Sequence, residues 1–315
     1  MLIAAFYYSN GHSPSTWIWA AALPAFLCET LFYLGSAFEN TRNRFANLFA
    51  GLRAARAKAG LLWLSALIPY LIFSLSAGTF QRNAFYLLAL LTAVFCFWHA
   101  ILPRRLAFDI GFLVIAAAPF ITRVFARIYR SPDPHLRVDI LGHLMWIRLG
   151  LVAILVLREW NPGPVGLWPN RREWRTGFLW FALGIAPIAI ASVAIHDTHF
   201  QPLAGPWWQI LAIAIGTFLG FLWVVALGEE LFFRGVIERG LLNSWRSPVA
   251  AVFVSSLFFG SAHLWFRPFP DWRRATVALL LGLFCGTAYI QSGSVRASIV
   301  THSLVVVTWR LFFKG

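Results

Sequence analysis

Ten stretches of mostly apolar residues, joined by short polar or basic segments, dominate this chain. They lie near 17–38, 59–79, 84–102, 107–122, 140–157, 177–195, 207–228, 248–266, 275–290 and 297–313. A helix of about 20 such residues crosses the hydrocarbon core of a bilayer. Backbone polar groups in lipid find partners only inside their own segment, so these runs should be helices. The alternating segments of a membrane β-barrel are absent. The runs at 107–122 and 275–290 are short and read as tilted, broken or re-entrant segments. The expected fold is an all-α, polytopic integral membrane protein with roughly 8–10 transmembrane helices.

Composition narrows the class further. Apolar residues make up 59% of the chain and charged residues only 12%, about half the charge of an ordinary soluble domain. A soluble core cannot hide that much apolar surface, which excludes a soluble enzyme, a disordered chain and a coiled coil. The net charge is +14, which in a soluble protein would suggest nucleic acid. Here most arginines stand between apolar runs, as in loops that face anionic headgroups. The expected partner is therefore the lipid bilayer and not nucleic acid. The 16 Trp and 30 Phe suit lipid-facing surfaces and interfacial belts.

Cys28, Cys96 and Cys285 are far apart inside apolar runs, so no disulfide framework or thiolate metal site is expected. The first residues lack the basic segment and cleavage site of a signal peptide, and the first membrane helix is expected to direct insertion. The basic loop with Arg42, Arg44, Arg53, Arg56 and Lys58 reads as cytoplasmic, as does the one with Arg171, Arg172 and Arg175. The loop 196–206 has no Lys or Arg and reads as external. Strict alternation puts Arg123, Arg127, Arg130 and Arg137 on the outside, so either a span is miscounted there or that segment is an interfacial helix. The segment 158–175, rich in Pro, Gly, Trp and Arg, marks a boundary. It divides an N-terminal multi-span region, 1–158, from a C-terminal domain, 159–315, that holds the clustered polar residues.

Ionisable groups inside membrane spans are costly, and each is a functional candidate. The sharpest is Gly228-Glu229-Glu230-Leu231-Phe232-Phe233-Arg234-Gly235, at the inner end of the run 207–228. If the helix continues, Glu230 and Arg234 pair at i and i+4, while Glu229 points about 100° away with a free carboxylate suited to a general base. The structural alternative is a charge cluster that ends a helix. Phe259-Gly260-Ser261-Ala262-His263 and Thr301-His302-Ser303 add two intramembrane histidines. Each alone would be an interhelical hydrogen-bonder. Two histidines and an unpaired glutamate on three spans can converge in a bundle core.

The order Glu229-Glu230-x-x-x-Arg234, Phe259-x-x-x-His263 and His302 resembles the CPBP intramembrane protease family (CAAX prenyl proteases and bacteriocin-processing enzymes, also called Abi). The resemblance covers roughly residues 175–315. It implies an intramembrane endopeptidase acting on a membrane-associated protein or peptide; the absence of a transit peptide and the positive-inside pattern favour a multi-pass protein of a bacterial cytoplasmic membrane. By it, Glu229 and His263 activate the attacking water, His302 stabilises the oxyanion, and Glu230 with Arg234 holds the site together. A metal-free mechanism with no cofactor is expected. The alternative is zinc held by Glu229, His263 and His302, a ligand set known for hydrolysis.

One position departs from the pattern. The family has Asn or Asp four residues after the last histidine, where this chain has Val306, which cannot donate to an oxyanion. Trp309 and Arg310 lie on about the same helix face as His302, and both carry N–H groups, so either could substitute. The departure keeps open a catalytically impaired member that binds or assists other membrane proteins. A proton- or ion-coupled transporter is the other alternative, although no matching halves are visible. His196-Asp197-x-His199 resembles a metal pair without a further ligand. Gly282-x-x-x-Gly286 reads as helix packing, and Ser261 and Ser303 lie in no recognisable Ser/His arrangement.

Overall fold

The computed structural model describes residues 15–49, 53–133, 136–245 and 247–315. The N-terminal stretch read as lacking a signal peptide falls mostly outside them. The chain forms two compact units that divide between Trp160 and Asn161.

The first unit contains α1 (Thr16–Ala37), α2 (Glu39–Ala46), α3 (Ala54–Ser76), α4 (Arg82–Ile101), α5 (Leu106–Thr122), α6 (Val124–Ile128) and α7 (Asp139–Leu157), whose last turn, Ala153–Leu157, is π-helical. The second contains α8 (Arg171–Ala194), α9 (Trp207–Trp245), α10 (Pro248–Trp265), α11 (Trp272–Ser292) and α12 (Val295–Phe312). Strands β1 (His199–Phe200) and β2 (Phe313–Lys314) form one two-residue antiparallel pairing.

Among the described residues nine helices are long and apolar enough to cross a membrane, and α5 is a shorter apolar helix. The protein is a polytopic all-α membrane protein. Each of the ten apolar runs is a helix, with one correction to the sequence reading. The run at 275–290 belongs to an unbroken helix of 21 residues, because polar residues at both ends extend it beyond the apolar window. The helix that starts with the run at 207–228 continues to Trp245, so the Glu-Glu motif lies inside a helix and the alternative of a charge cluster ending it falls away. Arg123 turns the chain with a left-handed backbone (φ 52°), and α6 then buries Phe125 and Ile128 while Arg123, Arg127 and Arg130 stay exposed.

In the first unit α7 is the central helix, with Trp146 stacked on Phe95 at 3.9 Å. Its Arg148 is 2% exposed and grips Glu29 of α1 through Nε (2.8 Å) and Nη2 (3.1 Å). A third donor, Nη1, reaches the hydroxyl of Ser65 on α3 at 2.8 Å. The N-terminal spans therefore hold a clustered ion pair that the sequence pass missed, its partners being 119 positions apart.

In the second unit local signals set the helix ends. Asn170 and Glu173 form a capping box at the start of α8, with reciprocal hydrogen bonds of 2.9 and 2.6 Å. Gly293 stops α11 in the left-handed region (φ 67°), and Ser294 caps α12 one residue later. Helix α12 is fixed on two sides: Thr301 donates to the Gly177 carbonyl of α8 (3.1 Å), and Ser298 to the Cys285 carbonyl of α11 (2.8 Å). Both contacts lie within one turn of His302.

Candidate active site in the second unit

Helix α9 changes pitch where its charged residues begin. It is π-helical over Phe221–Val225, α-helical over Ala226–Glu230, and π-helical again over Leu231–Glu238. Departures to π pitch inside α-helices are frequent at functional sites. Glu229 and Glu230 sit between the two wider segments and face different surroundings.

Glu230 is fully buried. One carboxylate oxygen accepts Arg234 Nε at 3.0 Å, the i, i+4 pair that the spacing predicts. The other accepts His302 Nδ1 at 2.8 Å. A carboxylate accepts and an imidazole nitrogen donates, so Nδ1 carries a proton, and Nε2 points toward Glu229. That Nε2 lies 3.8 Å from Glu229 Oε2, and the Glu229 side chain is 34% exposed. The separation exceeds a hydrogen bond but lets one water touch both groups at about 2.8 Å.

Arg234 is buried and held at Nε and Nη1. Besides Glu230 it donates to the Ser255 hydroxyl at 2.6 Å and lies 3.6 Å from Glu238. Its guanidinium also sits 5.3 Å from the Phe259 ring centre. Phe259 holds the arrangement from the α10 side, with its ring edge-on to His302 at 5.7 Å and tilted against His263 at 4.7 Å.

His263 stands at the end of α10, half-buried, with Nδ1 2.9 Å from the Phe259 carbonyl. That bond leaves Nε2 as the free nitrogen. No hydrogen bond or ion pair joins His263 to Glu229 or His302, and Phe259 lies beside both histidines. The structure thus brings Glu229, Glu230, Arg234, Phe259 and His302 together, with His263 one ring away.

The two residues proposed to replace the missing Asn or Asp differ in environment. Arg310 is exposed. Trp309 packs against the core cluster that includes Phe259 and Val305, and its indole Nε1 is buried without a hydrogen-bond partner. An orphaned buried donor costs about 1–3 kcal/mol. Val306 itself is partly buried and apolar.

Among the described residues one group of His, Cys, Asp or Glu is tight enough to share a metal ion: Glu230, Cys285 and His302, with ligand atoms within 4.8 Å of one another. It differs from the set Glu229, His263 and His302 expected for zinc. Glu230 in that group already holds Arg234, whose positive charge opposes a second cation there. Elsewhere, Asp197 of the His-Asp-x-His motif pairs with Arg267 (3.2 Å) and Arg274 (3.3 Å).

Sequence reasoning missed Glu238, Ser255 and Cys285. The first was detectable, since it follows Arg234 by another four residues. Ser255 and Cys285 carry no local signal, because other helices bring them to the site.

The fold and these residues define a multi-pass membrane protein with a buried Glu-Arg-His cluster ending in a partly exposed glutamate. Residues 211–308 match the family model described as Rce1-like, type II CAAX prenyl endopeptidase Rce1-like. That stretch is similar to the Rce1-like family, in keeping with the CPBP resemblance of its motifs, and the similarity supports a CAAX protease-type intramembrane endopeptidase in general. The matched stretch includes Glu229, Glu230, Arg234, Phe259, His263 and His302 and stops short of Trp309. No curated protein and no solved structure matches the chain.

Proposed function

We propose that this protein hydrolyses a peptide bond in a membrane-associated protein or peptide, with water activated by Glu229, in a bacterial cytoplasmic membrane. One observation carries the reading. His302 is anchored through Nδ1 to buried Glu230 and turns Nε2 toward Glu229, the partly exposed member of the pair. A carboxylate with access to water beside an oriented imidazole is the arrangement that general-base hydrolysis needs.

In this reading Glu229 accepts a proton from water as the water oxygen bonds to the scissile carbonyl carbon. The carbonyl π electrons move onto oxygen. His263 helps to hold that water. His302, protonated on both nitrogens, donates from Nδ1 to Glu230 and from Nε2 to the oxyanion. When the tetrahedral intermediate collapses, the proton on Glu229 passes to the leaving amine and the carboxylate is restored. Glu230 and Arg234 fix the position of His302. Trp309, with its unpartnered indole N–H, takes the role that Val306 cannot fill.

The reading is metal-free. Zinc on Glu229, His263 and His302 is the alternative, and stoichiometric zinc in the purified protein would favour it. The test compares membranes from cells carrying the wild type and Glu229→Gln, profiled for protein N-termini. Gln keeps the shape of Glu and removes its basicity. Loss of a set of internal N-termini with accumulation of their precursors identifies a protease and names its substrates. Identical profiles beside a deletion phenotype overturn it in favour of an impaired binding protein or a transporter, which ion flux in proteoliposomes separates.

A further inference from the structure

The geometry points to Glu238 as a positioning residue for His302, acting through Ser255, Arg234 and Glu230. This rests on the reading of Glu229 and His302 as the reacting pair and adds a carboxylate that the Glu-Glu-x-x-x-Arg signature does not contain.

Glu238 is fully buried. Its Oε2 accepts the Ser255 hydroxyl at 3.0 Å and lies 3.6 Å from Arg234 Nη1. The same hydroxyl accepts Arg234 Nη1 at 2.6 Å. An arginine only donates, and of the two acceptors in reach of the hydroxyl the Glu238 oxygen at 3.0 Å is nearer than the Phe233 carbonyl at 3.4 Å, so the hydroxyl hydrogen points toward Glu238. Arg234 Nε is held by Glu230, and the second oxygen of Glu230 holds His302. Glu230 alone would leave the guanidinium free to swing about its final torsions. Gripped at Nε from one side and at Nη1 from the other, its plane is fixed, and so is the Glu230 oxygen that orients His302.

Two further observations favour positioning over simple stability. A Cβ on Gly286 would lie 2.7 Å from Glu238 Oε2, so α11 leaves room for this carboxylate where any side chain would displace it. In addition, Glu238 Oε1 and Arg234 Nη2 are buried without hydrogen-bond partners. A half-satisfied buried network is less stable than an apolar core, and stability alone does not account for it.

The test uses the full-length protein in nanodiscs, labelled with 15N-histidine and observed by NMR. The His302 signal is assigned by its loss in His302→Gln. His263, whose Nδ1 bonds the Phe259 backbone carbonyl and which makes no hydrogen bond to Glu230, Arg234, Glu238 or Ser255, is the internal reference. Glu238→Leu and Ser255→Ala are expected to move or broaden the His302 Nδ1–H resonance and leave that of His263 in place. Glu238→Gln, which keeps an acceptor for Ser255, should restore much of the wild-type position. In a cleavage assay on a precursor found by N-terminal profiling, Glu238→Leu should lower kcat on the order of 10²-fold at unchanged KM.

An unmoved His302 resonance in both variants overturns the proposal. So does an equal shift of both histidines, which marks a general loss of structure. Should Glu238→Leu fail to fold, Ser255→Ala decides alone, because it removes the bridge and keeps the charge. If Glu229→Gln leaves the N-terminal profile unchanged while His302 still responds to Glu238, the catalytic reading fails and the positioning contact stands.

Discussion

Arg148 and Arg234 are both buried among membrane helices, and both are paired with a buried glutamate. Around Arg148 the contacts close on themselves: Glu29 uses both oxygens on the guanidinium, and Ser65 takes the remaining nitrogen. Around Arg234 the contacts lead onward, through Glu230 to His302 and then to Glu229 with 34% exposure. A closed set neutralises charge and ties α1, α3 and α7 together. An open one ends in a group that can meet water and substrate. The same residue types thus make a brace in one unit and a candidate active site in the other, and the difference lies in whether a reactive group is left over.

The comparison can be broken most directly at its open end. Glu229→Gln should reduce cleavage by about 10²–10⁴-fold, the usual contribution of a general base, with unchanged protein levels; the N-terminal profile reads this. Next, Arg148→Met should destabilise the first unit by about 3–5 kcal/mol, because Glu29 is left buried and unpaired. Adding Glu29→Leu should recover most of that loss, with cleavage per folded molecule unchanged. Thermal unfolding in detergent measures both, and a double variant no better than the single would show that the pair is more than a brace. Trp309→Phe keeps the ring and removes the orphaned N–H. Its cleavage rate should fall about 10²–10³-fold, as when one oxyanion donor is lost, and wild-type activity would remove Trp309 from the mechanism.

The smallest effect is expected at Arg104–Glu159, an exposed pair at 2.8 Å. The hydrogen bond from Arg104 holds the Glu159 carboxyl below its ordinary range. A lowered folded-state value means that the pair contributes above the ordinary carboxylate range and that the contribution is lost as pH falls through the folded value. At neutral pH Glu159→Gln should cost less than about 0.5 kcal/mol, and in acid the variant and wild type should unfold alike. A larger loss at neutral pH would make this surface pair a second brace.

The legible part of the site was the part carried by one helix. Glu230 and Arg234 could be paired on paper because helical pitch brings positions four apart to one face. The same pitch left two readings of the glutamates open, a helix that continues and a charge cluster that ends one. A charged motif after an apolar run can look like a helix terminus, yet here Glu230 and Arg234 pair with each other and the helix runs on through them to Trp245. Glu29 and Arg148 could not be joined from the sequence at all, since 119 positions separate them and each looks like an isolated charge in its own run.

What the sequence determined by itself is the solvent and the elements. Apolar runs long enough for a bilayer must be helices, because lipid offers the backbone no other partner. The order of Glu229, Glu230, Arg234, Phe259, His263 and His302 by itself resembles the protease family. Only the tertiary structure decided which glutamate holds His302, that Phe259 lies between the two histidines, and that Glu238 and Ser255 complete the grip on Arg234. Those contacts depend on the rotation and depth of each helix against its neighbours. Packing of whole faces sets these, through contacts such as Thr301 on Gly177 and Ser298 on Cys285, and no periodicity within a single span records them.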